Sequence, residues 1–121
     1  EGDWHLEKSD VSLLSSASIE HVNKWKHHKR PDGSRQKFTR TQVQSYKWED
    51  SPLFGREYDY ITIDTEGHNW TVLQQIPMDG VQALCVEWGN DEQVLNLISD
   101  YATSYGLKMA HKNFENVIFF R

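Results

Sequence analysis

Carboxylate side chains follow two apolar segments in the second half of this sequence. The segment 58–63 leads into Asp64 and Glu66, and the segment 81–86 leads into Glu87. Paired carboxylates can share a proton, act as a general base or hold a cation. Because ligands of open α/β sheets bind beyond the carboxyl ends of the strands, we expect Asp64 or Glu66 to lie within reach of Glu87 at such an edge.

Structural explanations compete with these functional ones. An aspartate at the end of a strand commonly caps the following turn through its side chain. If Asp64 has this role, Gly67 serves only the conformation of the turn. Glu66 and Glu87 are equally open to a functional and a structural interpretation. His68 could join Asp64 and Glu66 as a metal ligand, but the sequence offers no further ligand, and we predict no metal site.

Trp70 and Trp88 flank the same edge. An aromatic wall suits a pocket for an adenine or sugar ring, although large aromatic side chains more commonly serve packing. We therefore treat both as candidate ligand contacts, with packing as the alternative.

The elements that would position these residues alternate between strand and helix from residue 58 onward. Strands are predicted at 58–64, 81–88, 107–110 and 116–120, with a helix at 68–76 between the first two. A second helix is predicted between Asn90, as its cap, and Gly106. Helical crossovers predict parallel pairing of the first three strands, and the last strand returns antiparallel. The predicted fold class is α/β with a mostly parallel sheet.

Residues 1–57 are more polar and less periodic. We interpret the chain as one partial domain with an irregular N-terminal part, 1–57, and an α/β core at 58–121. Ser18 would cap a helix running through His28, with apolar side chains every three residues. A turn at 31–34, a strand at 38–46 and a connection at 48–56 would follow.

The charge of the chain bears on its partners. A formal net charge of −5 and a pI near 5.6 argue against a nucleic-acid partner. Lys24, Lys26, Lys29 and Arg30 nevertheless form a basic run. We interpret this run as a solvated helix end, with a phosphate-binding patch as the alternative.

Cys85 is the single cysteine, which excludes an internal disulfide and suits a reducing, cytoplasmic setting. No apolar segment approaches the length that spans a bilayer, so no membrane partner is expected. Because the sequence begins at Glu1 rather than at a methionine, we expect a processed chain or a part of a longer one.

The stretch 58–67, YDYITIDTEG, resembles the central signature of the FkbM-type methyltransferases, a strand followed by an Asp-x-Glu-Gly turn. The next helix of that family is similar to WTVLQQI at 70–76, and its apolar strand ending in Glu is similar to LCVE at 84–87. SYGL at 104–107 and NVIFFR at 116–121 match the bend and the final strand. The resemblance covers the C-terminal half of the chain. It implies a Rossmann-like class I methyltransferase half-sheet with an antiparallel C-terminal strand.

Enzymes of this family transfer a methyl group from S-adenosylmethionine, usually to a hydroxyl oxygen of a sugar, polyketide or similar small molecule. The resemblance implies catalytic roles for Asp64 and Glu66. It further implies cofactor contacts by Asp64, Gly67, Glu87 and Trp88 and substrate contacts by His68 and Trp70. Two places after the glycine the family commonly has a second acidic residue, where this chain has Asn69.

The glycine-rich turn that holds the methionine end of the cofactor has no counterpart before residue 58, where Gly2, Gly33 and Gly55 are isolated. Two functions are therefore expected as alternatives. The chain is either a methyltransferase-like domain that acts on a small-molecule acceptor, or a non-catalytic, truncated module that serves oligomerisation or partner binding. A sheet without its first strands would expose an edge, which predicts a homo-oligomer or a place in a longer chain.

Overall fold

A computed structural model of the chain describes residues 4–9, 19–35 and 37–121. The contacts divide the chain into two compact units. The first comprises Glu1–Lys47 with the turn Thr65–His68, and the second comprises Trp48–Asp64 with Asn69–Arg121. The units thus separate before Trp48, whereas the sequence changes character near residue 57.

The described residues of the first unit form one helix and a two-stranded antiparallel sheet. Strand β1, Trp4–Ser9, pairs with β2, Phe38–Val43, and helix α1, Ile19–Lys26, lies between them along the chain. The helix confirms the predicted one, and its Val22 is buried. Its predicted cap, Ser18, lies outside the described residues. A strand at β2 is confirmed, although it is shorter than predicted, whereas β1 was not predicted.

The second unit is built on a four-stranded mixed sheet with the order β3-β4-β6-β5. Its strands are β3, Tyr60–Ile63; β4, Ala83–Glu87; β5, Lys108–Lys112; and β6, Asn116–Phe120. β3 and β4 are parallel, and β6 is antiparallel to both β4 and β5. The α/β class with an antiparallel last strand is therefore confirmed. The prediction of a mostly parallel sheet is wrong, because β3 with β4 is the one parallel pair among the described strands of this sheet. Of the strands that the structure describes, β3 pairs with β4 alone and forms an edge.

The predicted pairing of the third strand with the second is wrong, because β6 lies between β4 and β5. Burial of the side chains explains this order. In β6 the side chains of Val117 and Phe119 are fully buried, whereas every residue of β5 is exposed. The β5 sequence KMAHK carries the charges that suit a sheet edge, whereas NVIFF in β6 is mostly apolar. The more apolar strand therefore occupies the interior of the sheet.

Helices α2, Asn69–Leu73, and α3, Glu92–Ser104, connect β3 to β4 and β4 to β5. The cap of α3 is Asp91, whose carboxylate accepts hydrogen bonds from two backbone amides of the first turn at 2.9 and 3.3 Å. The prediction of Asn90 as the cap is wrong, since this residue lies in the preceding turn with a φ of 58°. Gly106 follows the helix in the left-handed region, as its predicted role requires. None of the described helices has the length and apolar character needed to cross a membrane.

One face of the sheet forms the core of the second unit together with α2 and α3. Its largest fully buried side chains are Phe119, Leu73, Met78, Leu84, Ile98, Leu107, Val81, Val86 and Val117. The opposite face is less covered: Cys85 and Ile118 are half-buried, and Tyr60 and Phe120 are 58% and 52% exposed.

Arg121 ties together the loops at the other end of the strands. Its guanidinium donates hydrogen bonds to the backbone carbonyl oxygens of Val81 at 3.0 Å, Tyr105 at 2.8 Å and Met78 at 3.1 Å. Charged donors make stronger hydrogen bonds than neutral ones, so this one side chain fixes two loops, the one between α2 and β4 and the one between α3 and β5.

Candidate functional site

Two carboxylates meet at the carboxyl edge of the parallel strands. Asp64 follows β3 directly and Glu87 ends β4, and the register that pairs Ile63 with Val86 brings the next residues side by side. An oxygen of Asp64 lies within 4.8 Å of an oxygen of Glu87. Asp64 is exposed and Glu87 is half-buried. The predicted proximity of these two carboxylates is confirmed.

Asn69 holds the second of these carboxylates in place. It is the first residue of α2, only 6% of it is exposed, and its Nδ2 donates a hydrogen bond of 3.1 Å to Oε2 of Glu87. An amide can donate this bond, whereas an ionised carboxylate at the same position could only accept one. The departure from the acidic pattern at position 69 therefore has a structural consequence. It replaces a further negative charge beside Glu87 with a donor.

The electrostatic surroundings raise the pKa of Glu87 above its ordinary value. Partial burial raises the pKa of this carboxyl, and the hydrogen bond from Asn69 opposes the rise. A hydrogen bond with Asp64 and the charges of Asp64 and Glu115 raise the pKa of Glu87 further. Two carboxylates this close share a proton more readily than two separate ones. The pair can therefore accept a proton or receive hydrogen bonds from hydroxyl or ammonium groups.

The turn between β3 and α2 has an uncommon backbone. Glu66 and Gly67 both have positive φ, of 49° and 106°, and Glu66 and His68 are half-buried. A residue with a side chain in the left-handed region is disfavoured by roughly 1 kcal/mol, which glycine avoids. Because Thr65–His68 groups with the first unit, we define the site within the second unit alone, by Asp64, Asn69 and Glu87.

The two tryptophans are packed side chains. Trp88 is 4% exposed, its Nε1 donates to the carbonyl oxygen of Asn113 at 3.1 Å, and the Nζ of Lys112 lies 4.9 Å from its ring centroid. Trp70 is half-buried, with Tyr101 placed edge-on at a centroid distance of 5.9 Å. Packing accounts for Trp88 in full, and one side of the Trp70 ring is taken by an aromatic neighbour.

Glu115 is a member of this neighbourhood that the sequence did not single out. It lies in the loop before β6, and its carbonyl oxygen accepts a hydrogen bond of 2.9 Å from the amide of Trp88. Its place follows from the pairing of Glu87 with Asn116 in the β4–β6 ladder. Only the position of β6 next to β4 would have revealed it, and that pairing was not predicted.

Comparisons of the chain with protein-family models, with curated proteins and with solved structures find no match.

Proposed function

We propose that the second unit is the C-terminal half of a methyltransferase domain of the FkbM type, and that its carboxylate pair binds a hydroxyl group of a small-molecule acceptor. The observation that carries this proposal is the pair Asp64 and Glu87 at the carboxyl ends of two adjacent parallel strands. This edge is where open α/β sheets bind ligands. The antiparallel strand β6 supports the proposal, since an antiparallel last strand is a feature of the class I methyltransferase fold.

The chemistry assigned to the pair follows from its proton affinity. Methylation of a hydroxyl oxygen releases the hydroxyl proton, and a carboxylate with a raised pKa accepts a proton more readily than an ordinary one. We assign proton acceptance to Glu87, whose pKa is raised by burial. The negative charge of Asp64 increases the proton affinity of Glu87, and Asn69 fixes the Glu87 carboxylate through its Nδ2.

The donor set fits S-adenosylmethionine in part. Asp64 and Glu87 can receive hydrogen bonds from the ribose hydroxyls or the ammonium group of that cofactor, which supplies the methyl group when bound. Its carboxylate requires donors such as the backbone amides of a glycine-rich turn. The seven glycines of the sequence are isolated, and no two stand two residues apart. The cofactor as a whole therefore does not fit the residues of this chain, and no step is assigned through it.

Calorimetric titration with S-adenosylmethionine and, separately, with S-adenosylhomocysteine tests this proposal. Micromolar binding that Asp64→Ala abolishes would support the proposal, because it would show that the carboxylate pair receives hydrogen bonds from the ribose hydroxyls or the ammonium group. Asp59→Ala is the matched control, because Asp59 is an exposed aspartate at the other end of β3 and its replacement should leave binding unchanged. Absence of heat with both ligands would contradict cofactor binding by this chain and turn attention to the second function.

That second function is a non-catalytic module of the same fold that binds a partner. The observation that favours it is the isolation of every glycine, which leaves the cofactor's charged end without a cradle. A module of this kind would keep the sheet and lose the cofactor. Protein–protein association that S-adenosylmethionine does not affect would identify such a module.

A further inference from the structure

The overall charge of the chain combines two segments of opposite charge, which we call the basic half, residues 19–47, and the acidic half, residues 48–121. Residues 19–47 contain eight Lys and Arg and two Asp and Glu, a formal net charge of +6. Residues 48–121 contain four Lys and Arg and twelve Asp and Glu, a formal net charge of −8. Such a division of charge favours association, because oppositely charged surfaces attract each other and steer the encounter of two molecules.

The basic half concentrates its charge around the confirmed turn at 31–34. Lys29 and Arg35 are bridged in antiparallel register on the two arms of this turn, and both are exposed. Side chains directly opposite in such a bridge lie about 5 Å apart at Cβ, and like charges there are mutually destabilising. The repulsion between these two side chains would fall if an anionic surface covered them.

The acidic residue of the same turn is engaged in holding the turn. Asp32 receives hydrogen bonds from the hydroxyl of Ser34 at 2.6 Å and from its amide at 2.9 Å. These bonds lower the pKa of Asp32, with a smaller contribution from the charge of Arg30. The Asp32 carboxylate thus holds the turn, and its single negative charge is outnumbered by the two positive charges of Lys29 and Arg35.

Two more cations lie a few residues earlier along the chain. Lys24 and Lys26 are exposed in the last turn of α1. A helix C-terminus favours cations, which explains these two lysines but not the facing pair beyond the helix. We name Lys24, Lys26, Lys29 and Arg35 the basic cluster.

The acidic half offers the complementary surface. Glu87 lies at the carboxyl edge of the sheet, where the charge of Glu115 raises its pKa, and Glu92 begins the helix that follows β4. Lys112 lies 3.7 Å from Glu92 and compensates one of these charges. Glu92 and Glu115 are exposed. The excess of negative charge at this edge is therefore accessible to a basic partner.

We propose that the basic cluster is a docking surface for the acidic half of a second copy of this chain. The argument is charge complementarity: each copy carries one surface of each sign, and pairing them relieves like-charge repulsion on both. In a two-fold arrangement each contact occurs twice, because the basic cluster of each copy meets the acidic half of the other copy. The inference is independent of methyl transfer and needs no ligand at Asp64.

Sedimentation velocity over a range of concentrations gives the first test. We expect concentration-dependent dimerisation at about 50 mM salt that weakens at least roughly tenfold at about 500 mM, because exposed charges are screened. Lys29→Glu/Arg35→Glu should be monomeric under the same conditions. Arg56→Glu/Lys108→Glu is the matched control, which changes the net charge equally at exposed positions outside the cluster and should still dimerise.

A charge-swap experiment provides the sharper test. Glu92→Lys/Glu115→Lys should also be monomeric alone, whereas its mixture with Lys29→Glu/Arg35→Glu should dimerise, since both contacts then pair opposite charges. Circular dichroism verifies that each variant is folded, and Lys29→Gln/Arg35→Gln gives a milder version if charge reversal unfolds the chain.

Three results would overturn the proposal. A wild-type chain that stays monomeric at about 100 μM in low salt has no such interface. Dimers that persist in both charge-reversed variants use another surface, such as the β3 edge. Melting temperatures that depend on salt without any change in mass place the attraction within one copy.

Discussion

Replacement of Asn69 by alanine tests the proposed electrostatics of the site. The side chain is 6% exposed and donates a 3.1 Å hydrogen bond to Glu87. Hydrogen bonds to charged groups contribute about 1.5–3 kcal/mol, and the lower end applies because Glu87 is only half-buried. We expect the free energy of unfolding to fall by about 1.5 kcal/mol at neutral pH, equivalent to roughly 6 °C in melting temperature for a chain of this size.

The pH dependence of this loss has a definite sign. The folded-state pKa of Glu87 is already raised, and the Asn69 hydrogen bond works against that rise. Removing the bond raises the folded-state pKa further. A carboxyl with a raised folded-state pKa contributes stability that is fully present below the unfolded value of about 4.3 and is lost as pH rises through the folded value. The variant should therefore lose more stability at about pH 7 than at about pH 4.

Urea unfolding followed by tryptophan fluorescence at these two pH values measures the effect. Asn96→Ala on the exposed surface of α3 is the control for replacing an asparagine and should change stability by less than about 0.5 kcal/mol. A double-mutant cycle with Glu87→Ala isolates the pair. An equal loss at both pH values, or a coupling energy below about 0.5 kcal/mol, would refute the assignment of Asn69 as the donor that stabilises ionised Glu87.

Further predictions concern the framework. Arg121→Met removes three hydrogen bonds to backbone carbonyls and should lower the free energy of unfolding by about 2–3 kcal/mol in urea titrations, whereas Arg121→Lys should recover part of the loss. Tyr101→Phe removes the phenol donor to the carbonyl oxygen of Ile76 at 2.8 Å and should cost about 1 kcal/mol in the same assay; an unchanged midpoint would show that water replaces the donor. Asn90→Ala should lower stability by about 1 kcal/mol at a φ of 58°, and Asn90→Gly should be nearly neutral; equal losses would mean that the backbone conformation is not the cause.

Local signals were sufficient for the elements of the second unit. The limits of β6 match the predicted strand at 116–120, and α3 ends before Gly106 as expected. Strand order could not be derived in this way, because a hairpin can insert its second strand next to an earlier strand without any change in local pattern. The order of the strands follows from burial, because β6 alternates buried and less buried side chains, whereas β5 is charged and fully exposed. The first unit shows the opposite case: β1 reads WHLEKS, has little alternation, and pairs with a strand far along the chain.

The site was predicted in outline for the same reason. Asp64 and Glu87 end neighbouring strands, so the general rule for parallel sheets brought them together. Asn69 and Glu115 were missed as members of the site because their roles depend on contacts across elements. Asn69 was noted for departing from an acidic pattern, but its bond to Glu87 required the orientation of α2. Glu115 required the β4–β6 ladder.

The interior position of β6 has a consequence for biosynthesis. During translation, residues 60–87 can form the β3–β4 pair long before β6 emerges, and α3 can then form as well. The sheet nevertheless keeps an unfilled position between β4 and β5 until residues 116–120 leave the ribosome. Closure therefore depends on contacts distant in sequence, which slow folding and leave strand edges open in the meantime. Nascent chains arrested before residue 116 should bind chaperones that recognise exposed apolar strands, and release them once β6 inserts.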